Sequence, residues 1–469
     1  MNKILSHCIF WLCVIACSAF AEEPRLYSGK IQIPTLGELE MTLGVSESDE
    51  GTVLLLTAPS QGAKNLPLPT TYTQDGSISA ELPQAGLKFI VSENEDLTKL
   101  SGEMYQGLVF EIDFDRVDAI AELVRPQHPE EPYPYELREV TSLHQDGHLL
   151  QGTLTLPEGK GPFPCAVLVS GSGQQDRDES IMGHKPFLVI ADYLTRRGVA
   201  VLRFDDRGVG GSVMKNIEDL KTATSKDFAT DVEVMVQAAR MHPEINNKYV
   251  GVIGHSEGGI IGPMVAVKDK KLAFVVMLAG PGVPGFELLP VQQARLLQSN
   301  GAEQGLIEEV IHASMSLYET IESGSSAEEL RELMAELVAI QFEAQGLEVS
   351  KEIMEQAIDE GIEVMTIPWM QFFLFYDPAL TLSRVSCPVL AMNGTKDVQV
   401  DSKQNLPVIE STINEAGGDI TIVEFEGLNH LFQPAVTGGV EEYAQIETTF
   451  DPDVLATMND WILEVTDDD

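Results

Sequence analysis

A mostly parallel α/β sheet with helices on both faces and a helical cap inserted in it, preceded by a small antiparallel β domain, is the fold the sequence predicts. Three observations predict it. Six continuous apolar runs, "CAVLVSG", "VAVLRFD", "YVGVIGHS", "FVVMLAG", "PVLAMNG" and "ITIVEFEG", read as strands buried on both faces, with amphipathic segments between several of them. Residues 24 to 120 instead alternate apolar and polar with period two, as strands with one face on a core do. Finally, about a hundred residues of helical pattern separate "FVVMLAG" from "PVLAMNG", far more chain than a connection within a sheet needs.

In chain order, residues 1–21 combine a basic start at Lys3, an apolar run too short to span a bilayer and an A-x-A pattern, Ala19-Phe20-Ala21. This reads as a signal peptide cleaved after Ala21, hence an exported protein, periplasmic or secreted. A lipoprotein box at "VIAC", with a lipid on Cys17, is the second reading and ranks below it because the A-x-A site follows directly. Residues 22–120 form the all-β unit: Leu39, Met41, Leu43 and Val45 alternate, as do Leu108, Phe110, Ile112 and Phe114. Four prolines in "AELVRPQHPEEPYP" make 121–134 a linker, because each removes a backbone donor and biases its predecessor to extended conformations.

The second domain covers 135–469. It opens with a hairpin around "HQDG" and continues with the apolar runs. In "DFATDVEVMVQAAR", Phe228, Val232, Met235, Val236 and Ala239 recur at helical spacing. The helical cap occupies about 284–378; within it Ser326 and Glu329 are spaced as a capping box. The aromatic end of the cap, "WMQFFLFYDP", either lines a pocket or packs the cap onto the sheet.

Composition narrows the function. With 73 acidic against 30 basic residues, the 469-residue chain carries a formal charge of −43. That surface repels phosphate backbones and anionic lipid heads, which argues against nucleic-acid binding and fits solubility or salty surroundings. Three of the five cysteines lie in the leader, so Cys165 and Cys387 are read as core residues without a bridge.

The chemistry centres on "VIGHSEGGI", residues 252–260. Gly254, Ser256 and Gly258 follow a strand signal and precede a helical one, the strand-turn-helix setting of a nucleophile elbow. No Lys follows these glycines, so a phosphate loop is not supported. A serine hydroxyl needs a base within hydrogen-bond reach, and the base needs a carboxylate to orient it. On a parallel sheet the chain order is Ser, acid, His. Among nine histidines only His430, in "EGLNHLF", lies after both Ser256 and a strand-end carboxylate. His255 points elsewhere. Asp397, just past "VLAMNG", is the candidate acid, with Asp401 as runner-up and Asp377 as a turn residue. For an oxyanion the backbone N–H of Glu257 is one donor, and "VSGSGQQDRD" supplies the second from Ser172 or Gly173. Asp176, Arg177 and Asp178 read as charged support for that loop. "DDRGVGGS" lacks dinucleotide-binding spacing and the remaining histidines are scattered, so neither a cofactor nor a metal is expected.

"SGSGQQDRDE", "DDRGVGGS", "GHSEGG", "GTKDVQV" and "GLNHLFQ", in that order, resemble the α/β-hydrolase superfamily, in particular exported bacterial serine esterases of the EstD type. The resemblance covers most of 135–469, and "SQGAKNLPL" with "GEMYQGLVFEIDF" resembles the β domain that precedes the hydrolase in such proteins. It implies hydrolysis of a small-molecule carboxylic ester without a cofactor, and a cap over the active-site mouth. Peptidase or acyltransferase chemistry on the same three residues is the alternative, and a catalytically silent binding protein ranks lower. The oxyanion loop departs from the HGGG form of lipases, with Ser170 where that His would stand.

Overall fold

The computed structural model describes residues 24–467 apart from 34–36, 49–50, 59–62, 83–85, 107, 121–123, 300, 325, 345 and 347–348. The leader and its signal-peptide and Cys17 readings lie outside the described residues.

The first nine strands are β1 (Arg25–Ile33), β2 (Gly37–Ser48), β3 (Gly51–Ala58), β4 (Ala63–Leu68), β5 (Thr70–Tyr72), β6 (Ile78–Leu82), β7 (Leu87–Glu93), β8 (Lys99–Gln106) and β9 (Leu108–Val117). They form one sheet in the order β4-β3-β2-β1-β9-β8-β7-β6-β5, each adjacent pair whose register is defined being antiparallel. Period two does the work here: Leu39, Met41, Leu43 and Val45 all point into one core with Tyr27, Phe89 and Phe114. The sheet curls around that core, since the Thr70 hydroxyl in β5 donates to the Thr52 carbonyl in β3. The proline-rich stretch is fastened to the second unit: Arg125 donates to the carbonyls of Met182 and Ala444, and Gln127 bonds Thr449 and Phe450.

The second sheet comprises β10 (Glu136–Leu143), β11 (Leu149–Leu156), β12 (Phe163–Val169), β13 (Ala200–Phe204), β14 (Ile245–His255), β15 (Val275–Leu278), β16 (Val389–Gly394) and β17 (Ile420–Phe425). Its order is β10-β11-β13-β12-β14-β15-β16-β17, antiparallel through β10, β11 and β13 and parallel from β13 to β17. Helices α1 (Pro186–Thr195), α2 (Ser225–Met241) and α3 (Gly258–Lys268) connect its central strands, with α10 (Ser402–Glu415) and α11 (Pro452–Val465) near the C-terminus. Alternate residues of one strand enter opposite cores: Val167 and Val169 join α2 and α3, while Ala166 and Leu168 join α1 and α11. Both faces are therefore apolar, which is why these strands read as unbroken hydrophobic runs. One run needs correction. Ile420–Phe425, expected to be buried on both faces, is the edge strand β17 and only half-buried.

Between β15 and β16 the chain forms α4 (Gly285–Ser299), α5 (Gln304–Ser323), α6 (Ala327–Ala344), α7 (Lys351–Thr366), α8 (Pro368–Phe375) and α9 (Pro378–Leu382). These helices hold their own core around Val310, Leu317, Leu337 and Leu374. The aromatic end mostly packs: Phe373 joins the sheet core, and Trp369 stacks on it with ring centroids 5.6 Å apart. Of the capping box at Ser326, the half in which Ser326 Oγ accepts from Glu329 N–H is present.

Candidate active site

Ser256 sits between the end of β14 and the start of α3 with φ of 53°, a left-handed conformation that costs an L residue roughly 1–2 kcal/mol. Its own backbone holds the turn: Ser256 N–H donates to the Leu278 carbonyl at 2.9 Å, and its carbonyl accepts from Gly259 N–H at 2.8 Å. The glycines are needed for close approach. A Cβ on Gly258 would lie 2.2 Å from the Val169 carbonyl oxygen, and one on Gly254 would lie 2.0 Å from that of Gly258. Strand, turn and helix thus converge to present the Ser256 hydroxyl at the C-terminal rim of the sheet.

Asp397 lies in the turn after β16, its side chain wholly buried. One carboxylate oxygen, Oδ1, accepts from the N–H groups of Gln399 and Val400, each at 2.8 Å. The other, Oδ2, meets His430 Nδ1 at 2.8 Å. An acceptor there places the imidazole proton on Nδ1 and leaves Nε2 with its lone pair. Asn429 braces the loop, its Oδ1 accepting from Leu431 N–H and Gln433 N–H. His255, immediately before Ser256, bonds the His430 carbonyl at 3.0 Å, and the two histidine rings lie 4.8 Å apart. The Ser256 and His430 loops therefore abut, although among the described residues no hydrogen bond joins the Ser256 hydroxyl to the imidazole. Asp401 and Asp377 are otherwise engaged: each caps a helix, α10 and α9 respectively, and Asp401 also pairs with Arg295.

The loop after β12 packs against the elbow so closely that a Cβ on Gly171 would lie 3.1 Å from Ser256 Cβ. Gly171 N–H is taken by Glu179 Oε1 at 2.8 Å. The N–H groups of Ser172, Gly173 and Glu257 have no hydrogen-bond partner among the described residues, so all three are free to bind an anion. The Glu257 side chain turns inward. Its buried Oε1 accepts from Ser225 Oγ at 2.6 Å and from Trp369 Nε1 of α8 at 2.9 Å, which ties the helical insertion to the elbow. Burial raises the pKa of this carboxyl, opposed by hydrogen bonds from Ser225, Trp369 and Ser172.

Charged residues hold the loop from below. Arg177 pairs with Asp205 and Glu139, and Asp178 with Lys185 and Arg203. Asp206 grips both ends of the loop: its carboxyl meets Ser170 Oγ at 2.9 Å and accepts from Gln175 N–H at 2.9 Å. Burial pushes Asp206 up to about 8, with the Gln175 and Ser170 hydrogen bonds opposing and the charges of Asp231 and Glu257 assisting. An acid whose pKa rises on folding from an ordinary ~3.9 contributes stability that is full below about pH 4 and is lost as pH rises through its folded value. Asp206→Asn keeps the shape of the protonated acid without its titration. The variant is expected to show a shallower fall of Tm than the wild type between pH 5 and 8 in parallel thermal melts; identical slopes would refute this account.

The expectation that the remaining histidines are scattered is corrected. His144, His148 and Asp231 gather three possible metal-ligating atoms within 4.8 Å of one another. His148 Nε2 meets Asp231 Oδ1 at 2.8 Å, and His144 Nε2 meets Thr230 Oγ1 at 3.0 Å. Arg207 Nε donates to Asp231 Oδ2 at 2.6 Å. The group is complete as a hydrogen-bonded core cluster, with a guanidinium already balancing its carboxylate. Arg207, Asp205 and Asp206 of "DDRGVGGS" thus all have structural work. Cys165 and Cys387 are both free thiols.

Sequence reasoning missed four contacts: Glu179 on Gly171, Glu179 on His255, Asp206 on the loop, and Trp369 on Glu257. Only the closeness of Glu179 to "SGSGQQDRD" hinted at any of them.

The strand order, the elbow after the central strand β14 and the acid and histidine past β16 and β17 define an α/β-hydrolase fold, with an added antiparallel β unit and a helical insertion. The match to a hydrolase family and the likeness to a named esterase agree with that class. Residues 185–313 match the hydrolase family described as serine aminopeptidase, S33. The chain is similar to Esterase EstD of Thermotoga maritima, 27% identical over 305 residues that cover 64% of this chain and 61% of that protein. Among solved structures it resembles an esterase of Pyrococcus furiosus (12% identity, TM-score 0.42, covering 74% of this chain and 98% of that one). It also resembles the proline iminopeptidase of Mycobacterium smegmatis (16% identity, TM-score 0.41, 70% and 98% covered).

Proposed function

We propose that this protein is a serine carboxylesterase that works through an acyl-enzyme. The observation that carries the reading is the buried His430 Nδ1 to Asp397 Oδ2 bond on a loop abutting the strained Ser256 turn. Ser256 Oγ bonds to the ester carbonyl carbon as its proton passes to His430 Nε2. Glu257 N–H and Ser172 N–H, or Gly173 N–H in its place, hold the resulting oxyanion. Collapse breaks the bond to the alkoxy oxygen, which leaves as alcohol with the proton from His430. Water then gives a proton to His430 and its oxygen to the acyl carbon, releasing acid and restoring the Ser256 hydroxyl. The helices 285–375 act as a cap, a role supported by the Trp369 contact to Glu257. The likeness to EstD supports an ester substrate. The S33 description favours a second reading, aminopeptidase chemistry on the same residues. The leader pattern supports export.

One experiment separates these readings. The protein expressed with its leader is treated with a fluorophosphonate probe, digested and analysed by mass spectrometry, with rates measured on short-acyl nitrophenyl esters and aminoacyl nitroanilides. The expected result is an adduct on Ser256, ester turnover well above anilide turnover, and a mature N-terminus at Glu22. An adduct with faster anilide cleavage makes it a peptidase; no adduct and no turnover make it a non-enzyme.

A further inference from the structure

Beyond Ser256, Asp397 and His430, a second acid and histidine lie at the same rim. Glu179 Oε1 accepts from Gly171 N–H at 2.8 Å and meets His255 Nδ1 at 2.9 Å; His255 Nε2 meets the His430 carbonyl oxygen at 3.0 Å. We propose that Glu179 and His255 form a buried carboxylate–imidazolium strut that sets the distance between the oxyanion loop and the loop carrying the base, making both positioning residues for the reaction. The proposal rests on the esterase reading.

The protonation follows from the partners. A carboxylate and a backbone carbonyl can only accept, so each ring nitrogen facing one must carry a proton, and a ring with both protons is a cation. Glu179 supplies the counter-charge, and both side chains are almost fully buried. Such a pair is retained where it fixes one geometry, because removing either partner leaves an uncompensated charge. Burial alone lowers the pKa of His255. The charge and hydrogen bond of Glu179, the His430 carbonyl and the Asp397 charge together outweigh it and raise the value above the ordinary range. Among the described residues, Glu179, Asp397 and the His430 ring are the titratable groups found acting on or against this ring.

The strut joins pieces that the chain leaves independent. Glu179 is 76 residues from His255, and His255 is 175 from His430. Glu179 itself is set rigidly: φ is 51°, its N–H donates to the Asp176 carbonyl, and the Asp176 carboxylate accepts from Ser180 N–H. Gly171 N–H is engaged by Glu179, whereas the N–H groups next in line, Ser172 and Gly173, have no partner among the described residues. The strut thus decides which backbone donors face the reacting carbonyl, and small displacements there are costly to rate.

The test measures kcat, KM and the pH profile of nitrophenyl acetate hydrolysis from pH 6 to 10 for wild type, Glu179→Gln and Glu179→Ala, with circular dichroism melts as the control for folding. Glu179→Gln keeps the acceptor and removes the charge. Its kcat is expected to fall about 10-fold with KM within twofold, and its alkaline limb to move to lower pH as His255 loses its counter-charge. Glu179→Ala is expected to lose about 100-fold. If folding of the variants suffers, ¹⁵N-histidine NMR of the wild type still decides. One ring, identified by its loss in His255→Asn, should show two N–H resonances at pH 7. A neutral His255, or folded Glu179 variants with wild-type kcat and pH limbs, would overturn the strut. Absence of any fluorophosphonate adduct on the wild type would instead overturn the esterase reading, so the two failures are distinguishable.

Discussion

Ser256→Ala is expected to lower ester turnover by about 10⁴ to 10⁶-fold and to abolish fluorophosphonate labelling, with little change in Tm. The rate should fall because Oγ is the only atom lost and, in the proposed mechanism, it is the atom that bonds to carbon. Stability holds because the elbow is kept by backbone, through the Leu278 carbonyl and Gly259 N–H, and Ala at φ of 53° bears about the same strain as Ser. Residual turnover above the water rate would come from the Glu257, Ser172 and Gly173 N–H groups, which the substitution does not touch. Initial rates on a nitrophenyl ester, with a melt on the same sample, check this; a folded variant keeping a tenth of wild-type kcat would remove Ser256 from the mechanism.

Asp397→Asn should cost about 10⁴-fold in kcat while leaving the fold intact. The asymmetry of the carboxylate explains why. Oδ1 accepts from two backbone N–H groups, Gln399 and Val400, so the amide of an Asn places its carbonyl there and its NH₂ toward His430. A donor facing Nδ1 demands the lone pair on that nitrogen, which moves the imidazole proton to Nε2. Nε2 then has no lone pair to take the Ser256 proton that the proposed mechanism requires it to accept. The measurement is kcat at neutral pH alongside Asp401→Asn, which should lose far less because Asp401 caps α10 and pairs with Arg295. The reverse ranking would transfer the orienting role to Asp401.

How much was legible in advance depended on how local the cause is. The core strands were legible because alternate residues of a fully covered strand face two apolar layers, as Val167 and Leu168 do. Ile420–Phe425 misled because an edge strand can be apolar without being buried on both faces. The elbow was legible because a sharp turn needs small residues at fixed offsets, and Gly254 and Gly258 stand at them. Asp397 and His430 could be singled out by chain order past strand ends, a rule that names residues but does not say what they touch.

The chain by itself therefore determined its strands, its helical insertion and the turn that strains Ser256, since each of these follows from hydrophobic period or from steric limits over a few residues. Only the tertiary structure decided that Asp397 meets His430, that Glu179 and His255 link Gly171 in the loop after β12 to the His430 carbonyl, and that Trp369 closes on Glu257. Except for the local bond between Glu179 and Gly171, those contacts join residues 33 to 175 positions apart. A hydrogen bond depends on distances of a fraction of an ångström, which are set by how sheet, helices and insertion pack together and leave no periodic trace in the chain.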